Sequence, residues 1–198
     1  MAVQELKGLD GWILDIATGT GDVAIEMILQ DSHHRKVLGL DFSDPMIRKA
    51  QQKVSQKGLS RMIALSLGDA LFLPFRDNTF SASVIAFGLR NIAKKDQALS
   101  EMVRVIKKGG KVIILEFIFP QKGMMRRLYP FYFQRVLPSV GGFISGDRGA
   151  YAYLPESVSH FASAENYMEI MRKVGLEDVG SQSFTGGVVS VISGTKKC

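Results

Sequence analysis

The sequence predicts an α/β domain: a mostly parallel sheet with helices on both faces and an antiparallel hairpin closing one edge. Three observations predict it. Short apolar runs alternate with amphipathic helical patterns from residue 12 to residue 117, the pattern of parallel strands joined by right-handed crossovers. A glycine loop falls where the first strand hands over to the first helix. Near the C-terminus the alternation breaks, and two strand-like runs flank Thr185-Gly186-Gly187, which is hairpin spacing.

Taken in order, residues 12–16 form a short buried strand. Residues 21–30 form a helix with Val23, Ala24, Met27 and Ile28 on its inner face. The second strand, 36–40, ends at Asp41. Ser43 or Asp44 then caps a helix with Pro45 in its first turn and Met46, Ile47, Ala50 and Val54 facing inward. The third strand, 62–67, runs into Gly68-Asp69, and 83–87 make the fourth. A helix over 95–107 buries Ala98, Leu99, Met102, Val103 and Ile106 and stops at Gly109-Gly110. The β-branched run 111–117 is the fifth strand. A helix over 164–174 and strands over 177–184 and 188–193 complete a seven-stranded sheet. A nicotinamide-type dinucleotide fold would continue with parallel units instead.

The 198 residues fit one domain, 1–198, because single cores stop growing near ~250 residues. At 46% hydrophobic and 22% charged, the composition is that of a globular chain and excludes the disordered class. No uncharged apolar window approaches the ~18 residues of a membrane span, and residues 1–10 lack a signal-peptide core. The single cysteine, Cys198, excludes a disulfide framework and a Cys-based metal site. A reducing cytoplasm is the expected home. His33 and His34 fall in a polar loop and His160 on a variable surface stretch, without carboxylates at ligand spacing, so no metal is expected. Neither a Ser-His-Asp nor a Cys-His nucleophile pattern is present. The formal charge of +6 would suit an anionic surface. Its basic residues are scattered and no nucleic-acid-binding motif accompanies them, so no nucleic acid is expected.

The sharpest motif is Asp15-Ile16-Ala17-Thr18-Gly19-Thr20-Gly21-Asp22. Gly19 and Gly21 let backbone approach a ligand closely. The glycines alone also fit a dinucleotide loop or a plain tight turn, and the acids around them decide. Asp15, at the strand end before the loop, suits a cationic methionine group and would repel a pyrophosphate. Asp41, 20 residues beyond Gly21, is placed to accept two ribose hydroxyls. Asp69, beside Ala70, adds a third strand-end carboxylate for an adenine amino group. Carboxylates beyond the carboxyl ends of adjacent strands lie where open sheets bind ligands. S-adenosyl-L-methionine is the cofactor they fit best.

The residues Leu14 to Asp22, Gly68-Asp69-Ala70 with Leu73-Pro74-Phe75, and Phe87-Gly88-Leu89-Arg90-Asn91 together resemble the ubiquinone/menaquinone biosynthesis C-methyltransferase family. The strand end Glu116-Phe117, Tyr151-Ala152-Tyr153-Leu154-Pro155-Glu156-Ser157 and Thr185-Gly186-Gly187-Val188-Val189 continue the resemblance in the right order over nearly the whole chain. It implies a Rossmann-like class I S-adenosylmethionine methyltransferase fold. The implied reaction is C-methylation of a prenylated quinol ring, demethylmenaquinol to menaquinol or the ubiquinone-pathway benzoquinol. Thr20, Asp41, Asp69 and Ala70 would touch the cofactor. The helical segment that family members carry before the first strand, with a Tyr-Asp pair and a Trp-Arg region that help close the site, has no counterpart ahead of Trp12. The small polar residue that often precedes Phe-Gly-Leu-Arg-Asn is Ala86 here, which costs at most one cofactor hydrogen bond.

Methyl transfer to a ring carbon needs in-line approach and exclusion of water. The acceptor must also lose a phenolic proton with an ordinary pKa of about 10. Arg90 and Asn91, just past the fourth strand, are the candidates for this step. Arg90 would stabilise a phenolate, or with Asn91 and Asp69 hold a water that takes the proton. Residues 121–162 are expected to form a helical lid on the acceptor side. Its aromatic and Met-rich part suits a prenyl tail, with Tyr129, Tyr132 and Tyr153 as substrate contacts. Its basic residues would rest on an anionic membrane, peripheral to the inner face. An O- or N-methyltransferase of another small molecule would keep the cofactor half without explaining this greasy stretch. A non-catalytic cofactor- or lipid-binding subunit is the alternative from another class. A homo-oligomer is left open.

Overall fold

The computed structural model describes residues 2–30, 35–118 and 163–198. Its centre is a seven-stranded sheet of order β3-β2-β1-β4-β5-β7-β6. The strands are β1 (Gly11–Ile16), β2 (Arg35–Asp41), β3 (Ile63–Leu67), β4 (Phe80–Ala86), β5 (Ile106–Phe117), β6 (Leu176–Phe184) and β7 (Val189–Lys196). Strands β1 to β5 run parallel, and β7 pairs antiparallel with both β5 and β6. This is the α/β sheet with a terminal hairpin that the sequence predicts. The chain leaves β1 for β2 on one side and later returns to β4 on the other. The strand order therefore reverses at β1, and the crevice beyond the ends of β1 and β4 is where such sheets bind ligands.

Alternation along each strand divides the apolar residues between two cores, because successive side chains leave a strand on opposite faces. Leu14, Ile16, Leu40, Ile85, Val112 and Ile114 share one core with Leu99 and Met102 of α3 (Lys95–Val105) and Tyr167 and Met171 of α4 (Ala164–Lys173). Ile13, Val37, Val84 and Ile113 share the other with Ala24, Met27 and Ile28 of α1 (Asp22–Gln30) and Val54 of α2 (Asp44–Gln56). Each such aliphatic side chain, fully buried, contributes roughly 1.5–3 kcal/mol, so these two layers outweigh any single cap or ion pair.

Two local expectations are corrected. The helix α3 stops at Val105, before Gly109-Gly110, and Ile106 is already extended and paired with Phe80. The carbonyls of Arg104 and Val105 accept from the backbone N–H groups of Asn78 (3.1 Å) and Thr79 (2.7 Å). The arriving β4 segment thus satisfies the last turn. Gly110 instead serves the strand: a Cβ there would lie 2.7 Å from the Ser81 carbonyl oxygen, at the register shift between Phe80 and Ala82. Ser43 does occupy the N-cap of α2, but its side chain makes no capping bond. Its own N–H is held by Asp41 Oδ1 at 2.9 Å.

A 3-10 turn, Ala2–Leu6, precedes β1 and packs the fully buried Leu6 into the core shared with α1. The buried Arg35 clamps it through the carbonyls of Leu6 and Leu9, and Lys111 reaches Glu5 at 3.2 Å. Among the described residues, no helix is long and apolar enough to cross a membrane, and no group of His, Cys, Asp and Glu is placed to hold a metal ion. His33, His34 and His160 lie outside the described residues, as do the expected lid (121–162) and Tyr129, Tyr132 and Tyr153 within it.

Candidate functional site

The glycine loop crosses from β1 to α1 over the end of β2. Thr18 donates its N–H to the Leu40 carbonyl at 3.0 Å. The loop lies so close to β2 that a Cβ at Gly39 would meet Thr18 Oγ1 at 2.8 Å. Gly21 has φ +80°, and a Cβ there would press on Ala50 of α2 at 3.3 Å. Gly21 therefore serves backbone conformation and helix packing. Gly19 differs: its φ is +56°, and nothing lies within 4 Å of where a Cβ would be. The loop is bare at that point.

Asp41 ties the two crossovers together. Its Oδ2 accepts the Gly19 N–H at 2.8 Å and its Oδ1 the Ser43 N–H at 2.9 Å. These bonds fix the carboxylate in orientation and leave lone pairs for a ligand. Asp69 accepts the Leu71 N–H at 2.8 Å, which turns the chain so that Ala70 and Leu71 form a wall. That wall is braced from behind, where Arg104 bonds the carbonyls of Leu73 and Phe75 and the carboxylates of Asp77 and Glu101.

A cavity of about 580 Å³ opens at this point, beyond the ends of β1, β2 and β4. Its described lining brings together Gly19, Asp41, Asp69, Ala70 and Asn91, five of the residues expected from sequence. Sequence reasoning missed Phe42, Met46, Leu71, Ile92 and Ala93, which supply apolar walls. Met46 was expected in the core of α2 but lies 39% exposed. Phe42 is 80% exposed; a large aromatic in a turn, directly after a strand-end Asp, was the one available signal. Ala17 and Phe87 also line the cavity with φ of +53° and +55°. Left-handed backbone at non-glycine residues is a strain that collects at functional sites, and no residue pattern announces it.

Other expected residues do not line the cavity. Thr20 donates to Asp22 at 2.8 Å and accepts from Lys53 at 3.0 Å on the outer side of the loop. Asp15 lies beneath the loop, 1% exposed. Its Oδ2 accepts from Thr18 Oγ1 at 2.6 Å, while its Oδ1 is buried without a hydrogen-bond partner. Burial pushes the Asp15 carboxyl up to about 7, against the Thr18 hydrogen bond and with help from the Asp41 charge. Arg90 is turned inward. Its guanidinium bonds Glu116 at 2.7 Å and the Phe87 carbonyl at 2.5 Å, with side-chain exposures of 5% for Arg90 and 0% for Glu116.

The donor set fits a cationic adenosyl ligand. The described lining holds the carboxylates of Asp41 and Asp69 and no Lys or Arg, so a pyrophosphate would meet repulsion there with no described basic residue to offset it. Asp15, buried beneath the bare Gly19 segment, is a third carboxyl next to the site, and burial raises its pKa. A cavity of this size and polarity, with a few convergent polar groups among apolar walls, is the ordinary form of a small-molecule site.

The comparisons with known proteins agree with this chemistry. The model of the ubiE/COQ5 methyltransferase family matches residues 2–196. A ubiquinone/menaquinone biosynthesis C-methyltransferase UbiE of Geobacter sulfurreducens is 42% identical over 186 residues, which is 94% of this chain and 72% of that protein. A demethylmenaquinone methyltransferase of Thermus thermophilus is 44% identical over 184 residues, 93% of this chain and 82% of the relative. Solved structures share the fold at lower identity. The [4+2]-cyclase SpnF superposes with a TM-score of 0.75 at 21% identity, over 98% of this chain and 79% of that one. A SAM-dependent methyltransferase from Aquifex aeolicus gives 0.69 at 20%, over 97% and 86%. A cyclase among them shows that fold alone does not fix chemistry. The sequence relatives do what the fold cannot: with identity above 40% over more than nine-tenths of its length, this chain belongs to the ubiE/COQ5 methyltransferase family.

Proposed function

We propose that this chain methylates a ring carbon of a prenylated quinol with S-adenosyl-L-methionine, converting demethylmenaquinol to menaquinol or acting on the corresponding benzoquinol. One observation carries the cofactor half: a cavity at the strand-order reversal whose described lining holds two carboxylates and no basic residue. Asp41 accepts the ribose hydroxyls. Asp69, with the Ala70 backbone, receives the adenine, and Phe42, Met46 and Leu71 pack against its faces. Gly19 gives the methionine portion access to the loop, while Asp15 attracts its ammonium group from below. When bound, the cofactor supplies an electrophilic methyl group on a sulfonium.

Asn91 and Arg90 serve the acceptor end. Asn91 lines the cavity and orients the ring hydroxyl or the water that takes its proton. Arg90 fixes the turn from below. Residues 121–162, with Tyr129, Tyr132 and Tyr153, cover the acceptor and its tail, and their basic residues rest on an anionic membrane surface. The names of the relatives support the quinol.

Calorimetric titration with S-adenosylmethionine, with NAD as the parallel control, tests the cofactor. Micromolar binding of the first alone is expected. Binding of NAD instead would overturn the assignment.

A further inference from the structure

Outside the cavity, a buried polar arrangement among the described residues is built around Glu116, at the end of β5. The carboxylate is fully buried, and its bonds from Arg90 hold one short piece of chain. Its Oε1 accepts from Arg90 Nη1 at 2.7 Å and from the Phe117 N–H at 3.0 Å, and its Oε2 from the Arg90 backbone N–H at 3.1 Å. The same Arg90 nitrogen returns to the Phe87 carbonyl at 2.5 Å. The 87–91 turn is therefore gripped at both ends by one ion pair. The Phe87 and Phe117 rings stack beside it with centroids 4.7 Å apart, and the Arg90 guanidinium lies 5.6 Å from the Phe117 ring.

What is gripped matters. Phe87 is held at φ +55°, a left-handed conformation that is strained for a non-glycine residue and persists only where surroundings enforce it. Gly88 is pressed so closely on the cofactor loop that a Cβ would lie 2.6 Å from Ala17 Cβ. Phe87, Gly88 and Asn91 all line the cavity. A buried pair is weak evidence for stability, since apolar replacements of similar volume serve as well or better. Its bonds to one strained turn indicate a different use.

We propose that Glu116 is a positioning residue of this site, acting through Arg90 to hold the 87–91 turn in the form that presents Phe87, Gly88 and Asn91 to the cofactor. This role presupposes the cofactor cavity proposed above. Glu116 touches neither cofactor nor acceptor; it shapes the wall that does.

Two variants of the full chain test it, Glu116→Gln and the apolar double replacement Arg90→Met with Glu116→Leu. Amide hydrogen exchange over 87–92 and calorimetric titration with S-adenosylmethionine are the readouts. In Glu116→Gln, exchange at these amides is expected to rise about tenfold and the cofactor Kd to rise by about the same factor. The double variant is expected to melt at or above the parental temperature and still show both losses, which separates positioning from stability. Parental exchange and parental affinity in the folded double variant would overturn the proposal. If the parent itself binds no S-adenosylmethionine, the cofactor reading fails, and the exchange arm alone decides whether Glu116 braces the turn.

Discussion

Asp41 and Asp15 are both strand-end acids beside one loop, yet their environments give them different work. Asp41 is bonded through both oxygens to backbone N–H groups and lines the cavity, where the proposed cofactor would meet it. Replacing it with Ala is expected to raise the S-adenosylmethionine Kd at least about tenfold, since each tenfold is about 1.4 kcal/mol and a two-hydroxyl contact exceeds that; an unchanged Kd in a titration would remove it from the site. Asp15 is buried and pushed from 3.8 up to about 7. The folded chain therefore holds a proton there that the unfolded chain has released. Stability of the cofactor-free protein should fall as pH rises from about 4 to about 7. Asp15→Asn should flatten that slope in urea melts at stepped pH, and an unaltered slope would contradict the buried-acid account. Tyr167 offers a third residue-scale prediction. Its hydroxyl is buried without a hydrogen-bond partner, and burial, with the nearby Glu116 charge, raises its pKa. Tyr167→Phe should leave stability unchanged or raise it by up to about 1 kcal/mol. A loss of more than that on thermal unfolding would show that the hydroxyl makes a contact.

At the scale of elements, the strands and helices were legible because periodicity reports burial, and both cores follow it. The ends were less so. The stop of α3 depends on Asn78 and Thr79 arriving from elsewhere in the chain, information no local pattern holds, and Gly109-Gly110 therefore looked like a cap. The lining of the cavity was legible where it lies in residue type: Asp41, Asp69 and the bare Gly19. It was not where chemistry lies in conformation, as with the left-handed Ala17 and Phe87, or in a contact between residues far apart in sequence, as with Arg90 and Glu116. The glycines at element boundaries give a direct check. A Cβ on Gly110 would strike backbone at 2.7 Å, whereas Gly58, at φ +70°, has nothing within 4 Å. Gly58→Ala should cost only the left-handed strain of roughly 1–2 kcal/mol. Gly110→Ala should cost more, on the order of 2–4 kcal/mol, because β4 and β5 must separate. Equal melting temperatures for the two variants would contradict the close approach.

For the whole molecule, the sheet places a cavity whose described lining holds two carboxylates at the point where strand order reverses at β1, with the turns after β1, β2, β3 and β4 converging on it. The chain carries a net charge of +6, while the described lining of that cavity holds no basic residue. Binding to anionic vesicles at low salt, lost at high salt, is the expected behaviour if the basic residues meet a membrane surface; sedimentation without any binding would remove that part of the proposal. The central claim concerns the reaction itself. Incubation with methyl-labelled S-adenosylmethionine and a demethylated prenyl naphthoquinol, followed by mass spectrometry and carbon NMR, locates the transferred group. The account predicts one label per product, bonded to a ring carbon. A label on oxygen, or no transfer by protein that binds the cofactor, would contradict it.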